Sequence, residues 1–289
     1  MSTVALFIHG GRPDAIALGQ EVSLWLKARR HLVVSSPREA ELLTNELVTV
    51  ELDRPDQPIH LVVSIGGDGT MLRATRRGVE SGAEVLGINL GQLGYLAEVE
   101  PKAWEAALDD YFAGRHEVAD RLLVSARVHV DGADTETQNT GLPLGLNEVV
   151  IEKQAMGRTV RLGVTIDGKF FTSYVADGLI LATPTGSTAY SLSARGPIVD
   201  PSHRALILTP VSPHSLFDRS LVLEPTSVVE VSVLGDRPAA VSVDGEQAGM
   251  LPPGARVTIT AADRPARFVT FGSRDFHQIL KAKFGLSDR

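Results

Sequence analysis

Ser64-Ile65-Gly66-Gly67-Asp68-Gly69-Thr70 constrains this chain more than any other stretch, because it reads as a buried strand running into a phosphate loop. Upstream, Ile59–Ile65 is short, β-branched and nearly all apolar, the pattern of a strand covered on both faces. Downstream, Met71, Leu72, Ala74 and Thr75 begin a helical spacing, so the glycines fall at a strand-to-helix turn. Three glycines in four residues let the backbone approach an anion and take positive φ without strain. The following helix aims its free N–H groups and positive dipole end at the same place. Asp68 stands among them, and a carboxylate beside phosphate needs either a metal ion or a substrate hydroxyl that it can deprotonate. The plainer reading is a tight turn with a solvated aspartate. Strand, glycines, acid and helix together favour phosphoryl transfer.

Around this motif the first part of the chain alternates strand and helix. Val4–Ile8 reads as a strand ending in a second glycine turn, His9-Gly10-Gly11, and Pro13 suits the first turn of a helix. Leu32–Val34 is a second strand, followed by a short helix near 39–45 and a strand at 47–52. Glu84–Asn89 is another strand and Pro101–Ala113 another helix. Such alternation implies a parallel sheet with ligands at the carboxyl ends of its strands. Past about residue 115 the pattern becomes β-rich, with alternation at Leu122–Val130 and Leu146–Ile151 and a hairpin signal at Asp167-Gly168. Further strands read at 179–182, 206–208, 228–233, 240–243, 257–260 and 267–271. The expected architecture is therefore a Rossmann-like α/β domain over 1–115 and an antiparallel, sandwich-like second domain over 116–271. The final helix, spaced by Phe276, Ile279, Leu280 and Phe284, is expected to return to the first domain over 272–289.

Composition narrows the function classes. The chain has 289 residues, a length typical of two domains, and 43% of them are hydrophobic, enough for sizeable cores. A net charge of −7 and the lack of long basic runs argue against a nucleic-acid surface. No cysteine is present, which excludes disulfides and thiolate metal sites. The eight histidines show no zinc-binding spacing. With no signal peptide and no long apolar span, a cytoplasmic protein without a membrane partner is expected.

The β-rich half carries its own candidates. Asp177–Ser191 runs from a buried strand into Thr, Gly and Ser, whose hydroxyls and N–H groups can hold a phosphate or carboxamide while Tyr190 offers a stacking face. Taken alone, a helix N-cap at Thr185 and Ser187 explains it at least as well. Asn147-Glu148 can take ribose hydroxyls and base edges, or can be two exposed strand residues. Gly91–Tyr95 reads as one more turn. Neither a Walker A lysine motif nor G-x-G-x-x-G occurs, which disfavours a P-loop kinase and an ordinary Rossmann dehydrogenase.

Gly66–Thr70, Asn89–Leu96, Asn147-Glu148, Asp177–Ser193, Thr209-Pro210, Pro213–Leu216 and Asp244-Gly245 together resemble the bacterial NAD kinase family in motif and order. The GGDGT turn is shared with lipid kinases, whereas the Asp177–Ser193 block with Asn147-Glu148 is specific. The resemblance implies phosphorylation of the adenosine 2′-hydroxyl of NAD with ATP, or polyphosphate, as donor. It implies a divalent cation such as Mg2+ carried with ATP, a homodimer or homotetramer, and a site between the two domains. By the same resemblance Asp68 is the proposed base, and Gly66, Gly67, Gly69, Thr70 and Arg73 contact nucleotide. Asn147 and Glu148 grip the adenosine half, and Thr188, Ala189, Tyr190 and Ser191 line the dinucleotide pocket. Arg158, Asp177 and Gln247 fall at positions assigned to NAD. Three residues depart from the family pattern: Arg195 replaces a common glycine, Glu246 is an extra residue after Asp244-Gly245, and Val175 replaces a basic residue. The rival readings are another GGDGT-type small-molecule or lipid kinase and a non-catalytic dinucleotide sensor.

Overall fold

A computed structural model describes residues 1–43, 49–50, 58–91, 94–130, 140–155, 157–272 and 275–286. In chain order the elements begin with β1 (Thr3–Ile8), α1 (Pro13–Ala28), β2 (Leu32–Ser35), α2 (Pro37–Leu43), β3 (Thr49–Val50) and β4 (Leu61–Gly66). Then come α3 (Asp68–Ser81), β5 (Glu84–Asn89), α4 (Trp104–Phe112), β6 (Glu117–Arg121), β7 (Val124–His129), β8 (Thr140–Gly141) and β9 (Glu148–Lys153). They continue with β10 (Val160–Ile166), β11 (Lys169–Ala176), β12 (Gly178–Ala182), α5 (Tyr190–Ser193), β13 (Leu206–Val211) and β14 (Leu221–Leu223). The last are β15 (Val229–Leu234), β16 (Ala239–Val243), β17 (Glu246–Leu251), β18 (Arg256–Ala261), β19 (Ala266–Thr270) and α6 (Phe276–Phe284). The chain divides into Met1–Asp120 with Ala266–Arg289, and Arg121–Pro265.

The first unit is built on a seven-stranded sheet in the order β3-β2-β1-β4-β5-β19-β6. β1 pairs in parallel with β2 and β4, and β4 with β5. Every residue of β1 and β4 is buried, as strands covered by helices on both faces require. α3 lays Met71, Ala74, Thr75, Gly78 and Val79 against this sheet, a face of period 3.6, and ends on Gly82 in the left-handed conformation. α2 is opened by Ser36, whose hydroxyl accepts the Glu39 N–H at 3.4 Å and donates to the Glu39 carboxylate, with Pro37 at the first helical position. Because the strand order runs outward from β1 to β3 and then returns to β4, it reverses between β1 and β4. That is the crevice where open α/β sheets hold ligands, and both glycine turns flank it.

The second unit is two six-stranded antiparallel sheets, β11-β10-β15-β18-β7-β8 and β14-β13-β12-β9-β16-β17. One core joins residues of both, among them Leu162, Val164, Val231 and Ile259 from one sheet and Val149, Ile151, Leu181 and Val241 from the other. The Asp167-Gly168 turn between β10 and β11 has both φ angles positive, 50° and 75°, which suits a tight hairpin. On the outer face of the second sheet Val150, Ile180, Ala182 and Ile207 form a separate cluster with Ala194 and Val199. β9 and β12 are thus apolar on both faces, and the segment after β12 is their cover.

Three expectations need correction. The strand expected at 267–271 in the second domain is β19, paired in parallel with β5 in the first sheet. Phe268 and Val269 are consecutive and both buried, so this strand is covered on both faces and does not alternate like an edge of a sandwich. Phe284, read as part of the apolar stripe of α6, is 49% exposed, and Ile279 is the buried residue of that helix. The phosphate-loop glycines do not use positive φ: none of Gly66, Gly67 and Gly69 adopts it. Residues 44–48, 51–52, 92–93, 273–274 and 287–289 of the expected elements and motifs lie outside the described residues.

Candidate active site

The end of β4 and the start of α3 form one wall of a cleft of about 350 Å³, lined by His9, Gly10, Gly11, Arg38, Gly67, Gly69, Thr70 and Arg73. A Cβ at Gly67 or Gly69 would meet nothing within 4 Å. The bare backbone therefore faces open space, and a phosphate can come close to the N–H groups of the first turn of α3. Arg73 is fixed: one guanidinium nitrogen is 2.7 Å from Glu39 and another donates to the Ile8 carbonyl at 3.0 Å. Glu39 is 1% exposed, so Arg73 neutralises an otherwise buried charge while it lines the cleft. Arg38, exposed on the first turn of α2, brings a second cation. The sequence reading missed Arg38, because only the strand order sets α2 beside β1.

The Asp68 carboxylate is turned away from this cleft toward the segment 94–96. Its two oxygens accept the Tyr95 N–H at 3.0 Å and the Leu96 N–H at 3.2 Å. A Cβ on Gly94 would stand 2.3 Å from Asp68 Oδ1, so only glycine lets this segment close on the acid. The loop read as one more turn is thus the cradle of the acid. Val99, paired with β5 through Gly87 and Asn89, anchors the cradle downstream. Each oxygen keeps a lone pair for a proton or a cation.

In the second unit, Asp244 organises the start of β9. It sits in a turn with φ of 49° and, at Gly245, 78°, and its carboxylate accepts the N–H groups of Leu146, Asn147 and Glu148 at 2.8, 2.8 and 3.2 Å. The Asn147 carbonyl accepts the Thr183 N–H at 2.8 Å. A Cβ on Gly186 would fall 2.0 Å from that same carbonyl oxygen, so the 185–188 turn lies directly over Asn147. Glu148 is 5% exposed, and its Oε2 has no hydrogen-bond partner among the described residues. Burial first, and then the Asp244 charge, push its carboxyl up to about 8, opposed by the Tyr190 N–H that donates to it. The Tyr190 phenol is itself raised, first by burial and then by Glu152, Asp177 and Glu148. Asp177 pairs with Lys153 at 2.6 Å. Asn147, Glu148, Asp177 and Tyr190 are therefore neighbours.

The remaining candidates are placed differently. Ser191 is fully buried and bonds Thr209 at 3.1 Å, which bonds Ser220 at 3.0 Å, so its hydroxyl is engaged within the fold. The Thr188 hydroxyl donates to the Thr185 carbonyl at 3.2 Å, and Ala189 joins the turn to α5. Arg158 lines a separate pocket of about 170 Å³ with Lys153 and Arg237. Gln247 lies exposed on β17 and reaches Met250 at 3.7 Å. Arg195 has φ of +66°, a left-handed conformation that glycine adopts without strain. Among the described residues no cluster of three or more His, Cys, Asp or Glu forms a metal cage.

Comparison with known proteins covers both units of the chain. The family models described as the ATP-NAD kinase N-terminal and C-terminal domains match residues 4–116 and 146–271. The NAD kinase of Carboxydothermus hydrogenoformans is 40% identical over 240 residues, 83% of this chain and 84% of that protein. That of Geotalea daltonii is 33% identical over 290 residues, covering 100% of both. The crystal structure of yeast NADH kinase complexed with NADH matches with a TM-score of 0.87 at 25% identity, over 100% of this chain and 89% of that one. The fold is also that of an NAD kinase from Archaeoglobus fulgidus, with a TM-score of 0.71 over 99% and 98% of the two chains at 24% identity. The chain belongs to the NAD kinase family.

Proposed function

We propose that the protein transfers the terminal phosphoryl group of ATP to the adenosine 2′-hydroxyl of NAD, giving NADP. The observation that carries this reading is the Asp68 carboxylate, held by the N–H groups of Tyr95 and Leu96 at the start of α3, the helix whose first turn lines the glycine cleft. Donor phosphates lie on the bare backbone of Gly67 and Gly69, with Thr70 beside them and with Arg73 and Arg38 balancing their charge, while Gly66, packed against Thr70 and His9, supports the turn from beneath. Asp68 orients the acceptor hydroxyl and takes its proton, a contribution on the order of 10²–10⁴-fold. Little other covalent chemistry falls to the protein, whose main task is alignment and charge stabilisation. Asn147, Glu148 and Tyr190 hold the adenosine half, and Asp177, Arg158 and Gln247 hold other parts of the dinucleotide.

The Asp68 carboxylate beside the phosphate-binding turn suits a Mg2+ that would arrive on the ATP phosphates and take most of its other ligands from them and from water. Such a cation supplies charge neutralisation at the transferred group. Polyphosphate as an alternative donor, a homodimeric or homotetrameric state and a cytoplasmic location complete the proposal. Among the described residues no helix is long and apolar enough to cross a membrane.

The test is purified protein with NAD, ATP and Mg2+, followed for NADP. Absence of NADP, or faster phosphorylation of a lipid or another small alcohol than of NAD, overturns the reading.

A further inference from the structure

α6 carries Phe276, Ile279, Leu280 and Lys283 at positions i, i+3, i+4 and i+7, one face of a helix. Ile279 is buried. Both ends of that face meet a single residue. The Phe276 ring lies 6.4 Å from the Tyr95 ring, tilted by 50°, and the Lys283 ammonium sits 4.7 Å over the same ring. Tyr95 is the residue whose N–H holds Asp68 Oδ2. The cradle is anchored downstream, where Val99 pairs with β5 and Ala97 packs against Gly87. At its other end, α6 grips Tyr95 through Phe276 and Lys283. The two also share a field: the Tyr95 phenol is raised first by burial and then by the Asp68 charge.

We infer that α6 is a clamp on Tyr95 that positions Asp68 for phosphoryl transfer, with Phe276 and Lys283 as its positioning residues. Neither touches a reacting atom. They act by fixing the Tyr95 backbone, whose N–H sets the direction of the carboxylate. This rests on the reading of Asp68 as the group that takes the hydroxyl proton. A positioning error near 1 Å can cost ~10²-fold in rate, so a clamp remote from substrate has leverage on kcat without touching substrate affinity.

The experiment pairs steady-state kinetics with amide hydrogen exchange. In the Phe276→Ala/Lys283→Ala variant, kcat is expected to fall by ~10–100-fold while KM for NAD and ATP stays within about twofold. Exchange at Tyr95 and Leu96 should accelerate while β1 and β4 stay protected as before. Phe276→Tyr with Lys283→Arg keeps a ring and a cation and should restore both readouts. Where the double variant fails to fold, Lys283→Ala, altering one exposed side chain, gives the same comparison with a smaller effect. Unchanged exchange at Tyr95 and Leu96 overturns the clamp, and so does faster exchange with kcat intact. A rise in KM equal to the fall in kcat also overturns it, since that marks loss of substrate binding. Failure of the wild-type protein to make NADP defeats the kinase reading instead, and the exchange arm still judges the clamp.

Discussion

Asp68 and Glu148 are both carboxylates at the edge of a strand, and the two units treat them in opposite ways. Asp68 is half-buried at the mouth of α3, and each oxygen is met by a backbone N–H. Glu148 is buried, has one oxygen without a partner and faces Asp244, so its charge is opposed. One environment holds its acid in place through two backbone N–H groups. The other keeps an acid short of partners, a state a ligand can relieve. Leaving a buried acceptor unsatisfied costs ~1–3 kcal/mol, which a ribose hydroxyl placed there recovers.

Four measurements break or sharpen that contrast. Asp68→Asn keeps shape and most hydrogen bonding but removes the base, so kcat should fall by roughly 10²–10⁴-fold with NAD affinity, read by calorimetry, changing far less. A near wild-type rate would place the base elsewhere. The second measurement follows stability against pH. The folded Glu148 titrates at about 8 and the ordinary value is 4.5, so between these the folded state binds more protons than the unfolded one. Stability is therefore lost as pH rises through that window, by an amount on the order of a few kcal/mol. Glu148→Gln abolishes this loss while weakening NAD binding, and urea midpoints for the two proteins at pH 5 and pH 9 should diverge. Parallel midpoints would show that Glu148 ionises freely.

A smaller effect is expected from Gly94→Ala. Its new Cβ lies 2.3 Å from Asp68 Oδ1, so the carboxylate must turn, and kcat should drop ~10-fold or more. An unchanged kcat would mean that the cradle does not set the geometry of the acid. The smallest concerns the turn that follows Tyr190, the donor to Glu148. Arg195→Gly relieves the cost of φ at +66° and loosens the unfolded chain by a similar amount, so melting should report a change within ~1 kcal/mol and activity should persist. Loss of activity in a folded variant would show that the arginine has a role of its own.

Much of this was legible in the chain. The strand before Gly66 and the helix after Asp68 announce themselves through an all-apolar run and a 3.6 spacing, and Asp167-Gly168 marks its hairpin without help from tertiary structure. Asn147-Glu148 and Tyr190 stand as candidates on residue chemistry alone, but in isolation they look equally like strand and turn residues, and only the resemblance gives them roles. What was missed depends on contacts distant in sequence. Gly94 matters only because Asp68, 27 residues before Tyr95, folds onto it. Arg38 matters only because of the strand order. β19 was assigned to the wrong unit because its burial on both faces comes from elements far upstream. β17, an edge strand with Glu246, Gln247 and Met250 exposed, has too weak a pattern to be read as a strand.

The placement of β19 between β5 and β6 has a consequence for how the protein is made. The edge of β5 that β19 covers is presented by residues fully buried in the finished sheet, Val85 and Leu86 among them. Ala266–Thr270 emerges from the ribosome only after the whole of Arg121–Pro265, which at ~5–20 residues per second delays it by on the order of ten seconds. During that interval the nascent first unit carries an open apolar edge, a template for wrong partners. Asp68 itself, gripped through Tyr95 by a helix that comes later still, is among the last groups to be set in place.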